Sequence, residues 1–482
     1  MLLKTAIGEV SGLRYMVDKL EIQSSLAKRV LLSTEFITQT NALETELNHV
    51  QQMLTALDNP IQVNAIDKIT IKLMQIRDIH GSIKNLAGTN ILDDIELFEV
   101  KSMALLANDI KKFLTEAEIN IVNLPDLTKV IELLDPEKTR IPSFYIYDTY
   151  SSALGALRKQ IKQKKSEVEQ QRQENSINLP SLEKELEQTR YQVTQVEDEV
   201  RQAISAKLRE HHEALKHALD TIATLDIIIA KAKQAKAMGL CKPTISKEKT
   251  TFRGIFYPQL KDMHQEQGKR YQPIDIELES NPCLITGANM AGKTVVLKTV
   301  ALSQYLFQFG FFIPAAEAII CPVKAILFSL DDEQSELSGL SSFAAEMLKI
   351  NHIIKSAKSN HNILVLIDEL ARTTNPYEGR AIVTAVTNIL TEHHVRSLIT
   401  THYSNLGTSC HKLRVKGFME NHASGTITKE NIGEFIDYSL VEDDGSTVPQ
   451  EALKIAEILG VDAEIIEKAQ AEIVRNKETT KE

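Results

Sequence analysis

Cysteine is scarce in this 482-residue chain: Cys241, Cys283, Cys321 and Cys410 stand tens of residues apart. With no CxxC spacing they do not make a common zinc site, and with no density they do not make a disulfide framework, so a reducing compartment is the simplest reading. A positive balance is lacking too. The 55 Lys and Arg against 65 Asp and Glu leave a formal charge of −10 and a pI near 5.8. No global basic field draws the chain to nucleic acid or membrane, so any such contact must come from local patches. Long apolar runs are also missing. The N-terminus, MLLKTAIGEVSG, has no signal-peptide core, and the most apolar stretch, Val295 to Leu330, is interrupted by Lys298, Pro314, Glu317 and Lys324. These absences predict a soluble, cytoplasmic protein that does not span a membrane.

What is present divides by pattern. The length suggests several domains. Residues 1–150 read as a helical core domain of short helices with apolar positions at three and four spacing, as in LDDIELFEVKSMALLANDIKKFL. Residues 151–244 read as a long antiparallel helical hairpin, charged and poor in glycine, with its turn near 175–181 at Pro180. Leu182, Leu186, Val193, Val196, Val200, Ile204 and Leu208 predict one apolar seam along the second arm, which with fifty-odd residues would reach about 80 Å. That arm is either a spacer or a lever. The first arm carries Arg158, Lys159, Lys162, Lys164 and Lys165, a cluster that reads as a solvated face or as a contact for phosphates. Residues 245–440 read as an α/β domain, because PCLITG, ILVLIDE and RSLITTH are short apolar runs ending in turns, with helical stretches between them. Residues 441–482 close the chain as a helical segment.

The chemistry sits in the α/β part. Gly287-Ala288-Asn289-Met290-Ala291-Gly292-Lys293-Thr294 fits GxxxxGK[ST] without a gap, after a predicted strand and opening a predicted helix that carries Lys293, and Val295 beside it completes the expected ATP-binding stretch. In that context backbone N–H groups face a β-phosphate, Lys293 reaches the β- and γ-oxygens, and the Thr294 hydroxyl suits Mg²⁺, which points to bound ATP. Downstream, ILVLIDEL ends a strand in Asp368 and Glu369: Asp368 supports Mg²⁺, and Glu369 orients or deprotonates the attacking water. A third strand end, at Thr400, Thr401 and His402, sets an imidazole where it senses the γ-phosphate.

Together GANMAGKT, DELARTTN and THY resemble the ATPase domain of the MutS family, whose forms are typically GPNMGGK[ST], DE[IL]GRGTS and THY. The resemblance is strong from about 250 to 405 and weaker elsewhere. It implies a P-loop ATPase domain of ABC/MutS type with a largely parallel sheet, preceded by an all-α core and a long helical lever. It also implies a homodimer, closed by the helical segment 441–482, in which a signature-loop serine reaches the partner's nucleotide. Ser341 matches that serine and Ser342 is its neighbour. Tyr271 and Tyr438 align with positions that stack on adenine, although each also suits a core tyrosine.

The departures bear on the target. The mismatch-reading domain and the clamp within the lever are expected to be absent, and with them base-specific reading of DNA. DDEQSELSGLSSF resembles the second bacterial MutS branch, without its nuclease tail. ARTTNPYEG replaces two usual glycines with Ala371 and Thr373, as in MutS-like ATPases that accompany adenosylcobalamin-dependent lysine or ornithine aminomutases. Two targets therefore stay open: DNA, bound without mismatch specificity in a repair-type role, or an aminomutase reactivated by ATP-driven remodelling.

Overall fold

Strand ILVLI, Ile363 to Ile367, is buried at every position, which only a strand covered on both faces can be. Around it a computed structural model describes residues 1–479 apart from 142, 174–176, 288–291, 330–341, 361, 404–405, 419–434 and 444–450. In chain order the first part holds α1 (Leu3–Glu9), α2 (Ser11–Asp18), α3 (Ser25–Leu32), α4 (Thr40–Ala56), α5 (Pro60–Leu73), α6 (His80–Ala87), α7 (Asp94–Glu116), α8 (Thr128–Leu134), α9 (Ser152–Gln173), α10 (Leu179–Arg209) and α11 (His212–Met238). Strands and helices then alternate: β1 (Thr244–Ile245), β2 (Thr250–Ile255), α12 (Pro258–Glu266), β3 (Ile274–Leu278), β4 (Pro282–Thr286), α13 (Lys293–Gln308), β5 (Glu317–Ile320), β6 (Ala325–Ser329), α14 (Ser342–Ser359), β7 (Ile363–Ile367), α15 (Pro376–Glu392), β8 (Arg396–Thr400), β9 (His411–Phe418), β10 (Ile436–Glu442), α16 (Glu451–Ile458) and α17 (Ala463–Thr479). Among the described residues no helix is long and apolar enough to cross a membrane.

These elements fall into two units, and the division differs from the expected one at the N-terminus. One unit joins Met1–Leu20 and Thr34–Gln51 to Gln234–Glu482; the other holds Glu21–Ser33 and Gln52–Lys233. In the first unit a six-stranded sheet runs β10-β9-β4-β8-β7-β6, parallel throughout except for the antiparallel edge pair β9 and β10. A second, four-stranded sheet runs β1-β5-β2-β3 and is mostly antiparallel, a feature that the apolar runs did not announce. Arg396, 6% exposed at the start of β8, ties the two sheets by donating to the Glu248 carbonyl at 3.0 Å. The early helices join this unit through polar contacts on α13. Tyr305 bonds Glu9, and Gln308 exchanges bonds with the backbone of Ile37, each 2.9 Å long.

The second unit is helical. Helix α7 opens on a capping box in which Asp93 and Glu96 satisfy each other's backbone N–H, so its start is set by two side chains three residues apart. Helices α9 and α10 pair antiparallel, joined by Arg158 to Glu197 at 2.8 Å, Lys164 to Glu185 at 3.2 Å and Arg172 to Glu183 at 2.6 Å. In the expected seam Leu186, Val200, Ile204 and Leu208 are buried, and Leu182, Val193 and Val196 are half-buried. Part of the basic cluster is thus spent inside the pair, since Arg158 also holds Asp148 at 2.6 Å, whereas Lys159, Lys162 and Lys165 are exposed. A turn interrupts the expected second arm: α10 ends at Arg209, its 31 residues spanning about 47 Å, and α11 starts at His212, whose ring bonds the Arg209 carbonyl at 3.0 Å.

One polar cluster is sealed in this unit. Lys101 is fully buried, and its ammonium donates to Asp135 at 3.1 Å, to the Ser143 carbonyl at 3.0 Å and to the Tyr147 hydroxyl at 3.2 Å. Burial alone would raise the Asp135 pKa, but the Arg140 N–H, the Thr139 hydroxyl and Lys101 outweigh it and hold it low. Lys101→Met, which strands the buried carboxylate, is expected to lower stability by about 3 kcal/mol in urea unfolding at neutral pH. An aspartate whose folded pKa is depressed contributes stability above its unfolded pKa and loses it as pH falls. The difference between wild type and Asp135→Asn should therefore shrink once pH drops below about 4; a constant difference would contradict the assignment.

Candidate functional site

Strands β4, β8 and β7 lie side by side and parallel, with Ile285 opposite Thr400 and Ile367 opposite Ile399, so their C-terminal ends meet at one edge of the sheet. In a parallel sheet that edge is where loops present chemistry. Each loop supplies one part of the site.

After β4 the chain passes Gly287, at φ 135°, and Gly292, at φ 74°, before α13 begins at Lys293; Ala288, Asn289, Met290 and Ala291 lie outside the described residues. Gly292 is required twice over. Its left-handed backbone disfavours a side chain, and an added Cβ would come 3.2 Å from the Tyr438 ring. As the residue before α13 it also offers no capping side chain, so the first-turn N–H groups stay available to an anion. Lys293 is 2% exposed, donates to the Gly287 carbonyl at 2.7 Å and stands 3.8 Å from Glu369. Burial lowers its pKa, while Glu369 and Asp368 pull it back up. Val295 follows in the first turn of α13.

The loop after β7 is tied to both neighbours through Asp368. Its carboxylate accepts from Thr294 at 2.7 Å on one oxygen and from Thr400 at 2.5 Å on the other. The Thr400 hydroxyl in turn accepts from the Glu369 N–H at 2.8 Å. A single threonine at the end of β8 thus sets both acids. Glu369 itself is at φ 45°, and Arg372 donates to its carboxylate at 2.9 Å.

Beyond β8, His402 is exposed, and the protein around it lowers its pKa; Glu369 opposes that shift, and Lys293 and Arg372 add to it. The shift favours the neutral ring. Tyr403 turns inward and donates to the Ala371 carbonyl at 3.0 Å, and Gly379 gives it room, since a Cβ there would lie 2.1 Å from its hydroxyl. The Ala371 N–H is held by Glu346 of α14 at 2.8 Å.

The two candidate stacking residues separate. The Tyr438 ring lies against Gly292, whereas the Tyr271 hydroxyl is engaged by the Tyr257 N–H at 2.9 Å. Between them Gln272 accepts from the Tyr438 N–H at 3.1 Å and donates to Asp437 at 2.8 Å and Ser439 at 3.0 Å. Ser341 lies outside the described residues, and Ser342 opens α14. Sequence reading passed over Thr400 as the anchor of both acids, and Glu346, Gln272 and Arg372 altogether. Only Arg372, three residues after Glu369 in an acidic-strand motif, carried a usable local signal.

The donor set fits a nucleotide with Mg²⁺. Among the described residues no cluster of three or more His, Cys, Asp or Glu side chains is placed to hold a metal. A hydroxyl and one carboxylate suit Mg²⁺, which keeps water and takes its remaining oxygens from phosphate.

Comparison with known proteins gives the same region a family. Residues 283–476 match the model described as MutS domain V. The chain is 29% identical over 401 residues to the Endonuclease MutS2 of Geobacillus thermodenitrificans, covering 70% of this chain and 50% of that protein. It is 29% identical over 349 residues to the DNA mismatch repair protein MutS of Thermus thermophilus, covering 71% and 41%. Against the Endonuclease MutS2 of Shouchella clausii it is 26% identical over 521 residues, covering 94% and 62%. The chain thus spans between about two fifths and three fifths of these curated relatives. Domain V of the MutS family thus contains the three strand ends, and similarity to MutS proteins continues through the helical part.

Proposed function

We propose that this protein is an ATPase that binds Mg²⁺ and ATP at Gly287 to Val295, hydrolyses ATP at a homodimer interface, and passes the change through α9 to α11 to DNA held without base-specific reading. The observation that carries the catalytic part is the chain of bonds from Thr294 through Asp368 and Thr400 to Glu369. It holds a metal-type oxygen pair and an adjacent carboxylate in one fixed frame.

In this reading Lys293 leaves the Gly287 carbonyl for the β- and γ-phosphate oxygens, and the backbone around Ala288, Asn289, Met290, Ala291 and Gly292 cradles the phosphates. Thr294 and Asp368 would hold Mg²⁺, which when bound would supply positive charge to offset that of the phosphates. Glu369 is the general base that takes the proton of the attacking water. His402, neutral, donates a hydrogen bond toward the γ-phosphate. Tyr438 stacks on adenine, whereas Tyr271 supports the wall behind it through Tyr257. Ser341 or Ser342 completes the partner's site.

The DNA part rests on the similarity to an endonuclease and to a DNA mismatch repair protein, and on exposed Lys159, Lys162 and Lys165 on α9. The aminomutase reading rests on ARTTNPYEG alone, and no feature of the described residues adds to it.

Glu369→Gln should lower phosphate release by about a hundredfold or more while ATP stays bound, as seen in single-turnover and filter-binding assays. Undiminished release would remove Glu369 as the base. With duplex and four-way DNA, replacing Lys159, Lys162 and Lys165 by alanine should reduce the slope of log affinity against log salt by about 3. No detectable binding of linear, mismatched or four-way DNA by wild type would overturn the DNA part and leave the ATPase standing.

A further inference from the structure

Glu369 has two carboxylate oxygens, and the structure sets a cation against each. Oε1 faces Lys293 at 3.8 Å, and Oε2 accepts from Arg372 at 2.9 Å. The two cations differ in what else they must do. Lys293 belongs to α13 and sits at the mouth of the phosphate loop, whereas Arg372 belongs to the same loop as Glu369.

That loop is folded back on itself. Glu369 and Ala371 stand at φ 45° and 60°, and the Arg372 N–H returns to the Glu369 carbonyl at 3.1 Å, which brings the arginine side chain beside the glutamate three residues earlier. Neighbouring elements pin the loop on three sides. Thr400 holds the Glu369 N–H, Glu346 of α14 holds the Ala371 N–H, and Tyr403 holds the Ala371 carbonyl. Arg372 is half-exposed, while Glu369 is only 10% exposed, so the arginine reaches inward from the rim to a nearly buried acid.

We propose that Arg372 is the positioning residue of the general base: it keeps Glu369 Oε2 fixed while Lys293 departs for phosphate and leaves Oε1 open to water. The proposal rests on the ATPase reading above. With both cations in place, each oxygen of Glu369 faces a positive charge that opposes uptake of a proton. Departure of Lys293 frees one of them, and the bond from Arg372 stops the carboxylate from turning after the lysine. Loading of the nucleotide site and readiness of the base are thereby linked through a side chain that does not itself touch phosphate.

The test is Arg372→Ala in the full chain, with Arg372→Lys beside it. Because the arginine acts through the base, kcat should fall by about ten- to a hundredfold with KM for ATP little changed. Arg372→Lys, which keeps the charge, should recover part of that loss. The same pair is read without nucleotide by a double-mutant cycle of thermal unfolding midpoints: Arg372→Ala should lower the midpoint in wild type and do so much less in Glu369→Ala. A raised KM with kcat intact would overturn the proposal, because it would place Arg372 on the nucleotide, and so would additive shifts in the cycle. A wild-type chain without turnover would instead refute the ATPase reading, and the unfolding cycle would still decide whether Arg372 holds Glu369.

Discussion

The carboxylate of Asp368 is the constraint from which the site is built. It accepts one hydroxyl from the start of α13 and one from the end of β8, and it follows the fully buried strand β7. Charge-assisted bonds of this kind are about twice as strong as neutral ones, and here they join three separate loops. If any strand slipped by one residue, the alternating pleat would turn its side chain to the other face and the triangle would open. The register of the parallel sheet is therefore also the register of the chemistry.

Around that point the site carries local strain that packing offsets. Ala371 sits in the left-handed region, where a side chain costs about 1–2 kcal/mol relative to glycine. Its methyl group is fully buried in the cluster formed by Ile367, Leu370, Val383, Ile399 and Tyr403, and burying it returns about 0.8 kcal/mol. Bonds at both its N–H and its carbonyl hold the same turn. An alanine where the family resemblance leads one to expect glycine is thus tolerable here, and the loop that carries Glu369 keeps its shape. Lys293 shows the same economy of partners: nearly buried, it is satisfied by the Gly287 carbonyl and a facing carboxylate.

The helical unit follows a different logic. Its α9 and α10 pair through a narrow apolar seam and a row of cross-helix ion pairs, and such exposed pairs contribute little each. The unit's more demanding feature is the buried Lys101 and Asp135 pair, which packing can accept only if every donor and acceptor is met. A sequence scan shows the seam, because it repeats along one helix. It does not show the buried pair, because Lys101 and Asp135 are 34 residues apart and each reads locally as an ordinary surface charge.

Local pattern was enough for much of the half that carries the candidate site. The three apolar runs correspond to β4, β7 and β8, adjacent in the sheet, and Lys293, Thr294, Asp368, Glu369 and His402 come to one edge because each sits at or just after a strand end. The periodicity of apolar residues and the glycine bracket determined that much, since both are encoded within a few neighbouring residues. Tertiary structure alone decided the rest. It joined Met1–Leu20 and Thr34–Gln51 to the unit that carries the candidate site, added the second sheet, made Thr400 the shared anchor of both acids, and set Glu346 against Ala371. The physical reason is range: a strand or a phosphate loop is specified by its own residues, whereas these contacts pair groups whose partners lie tens to hundreds of positions away and become neighbours only when the sheet and its helices have packed.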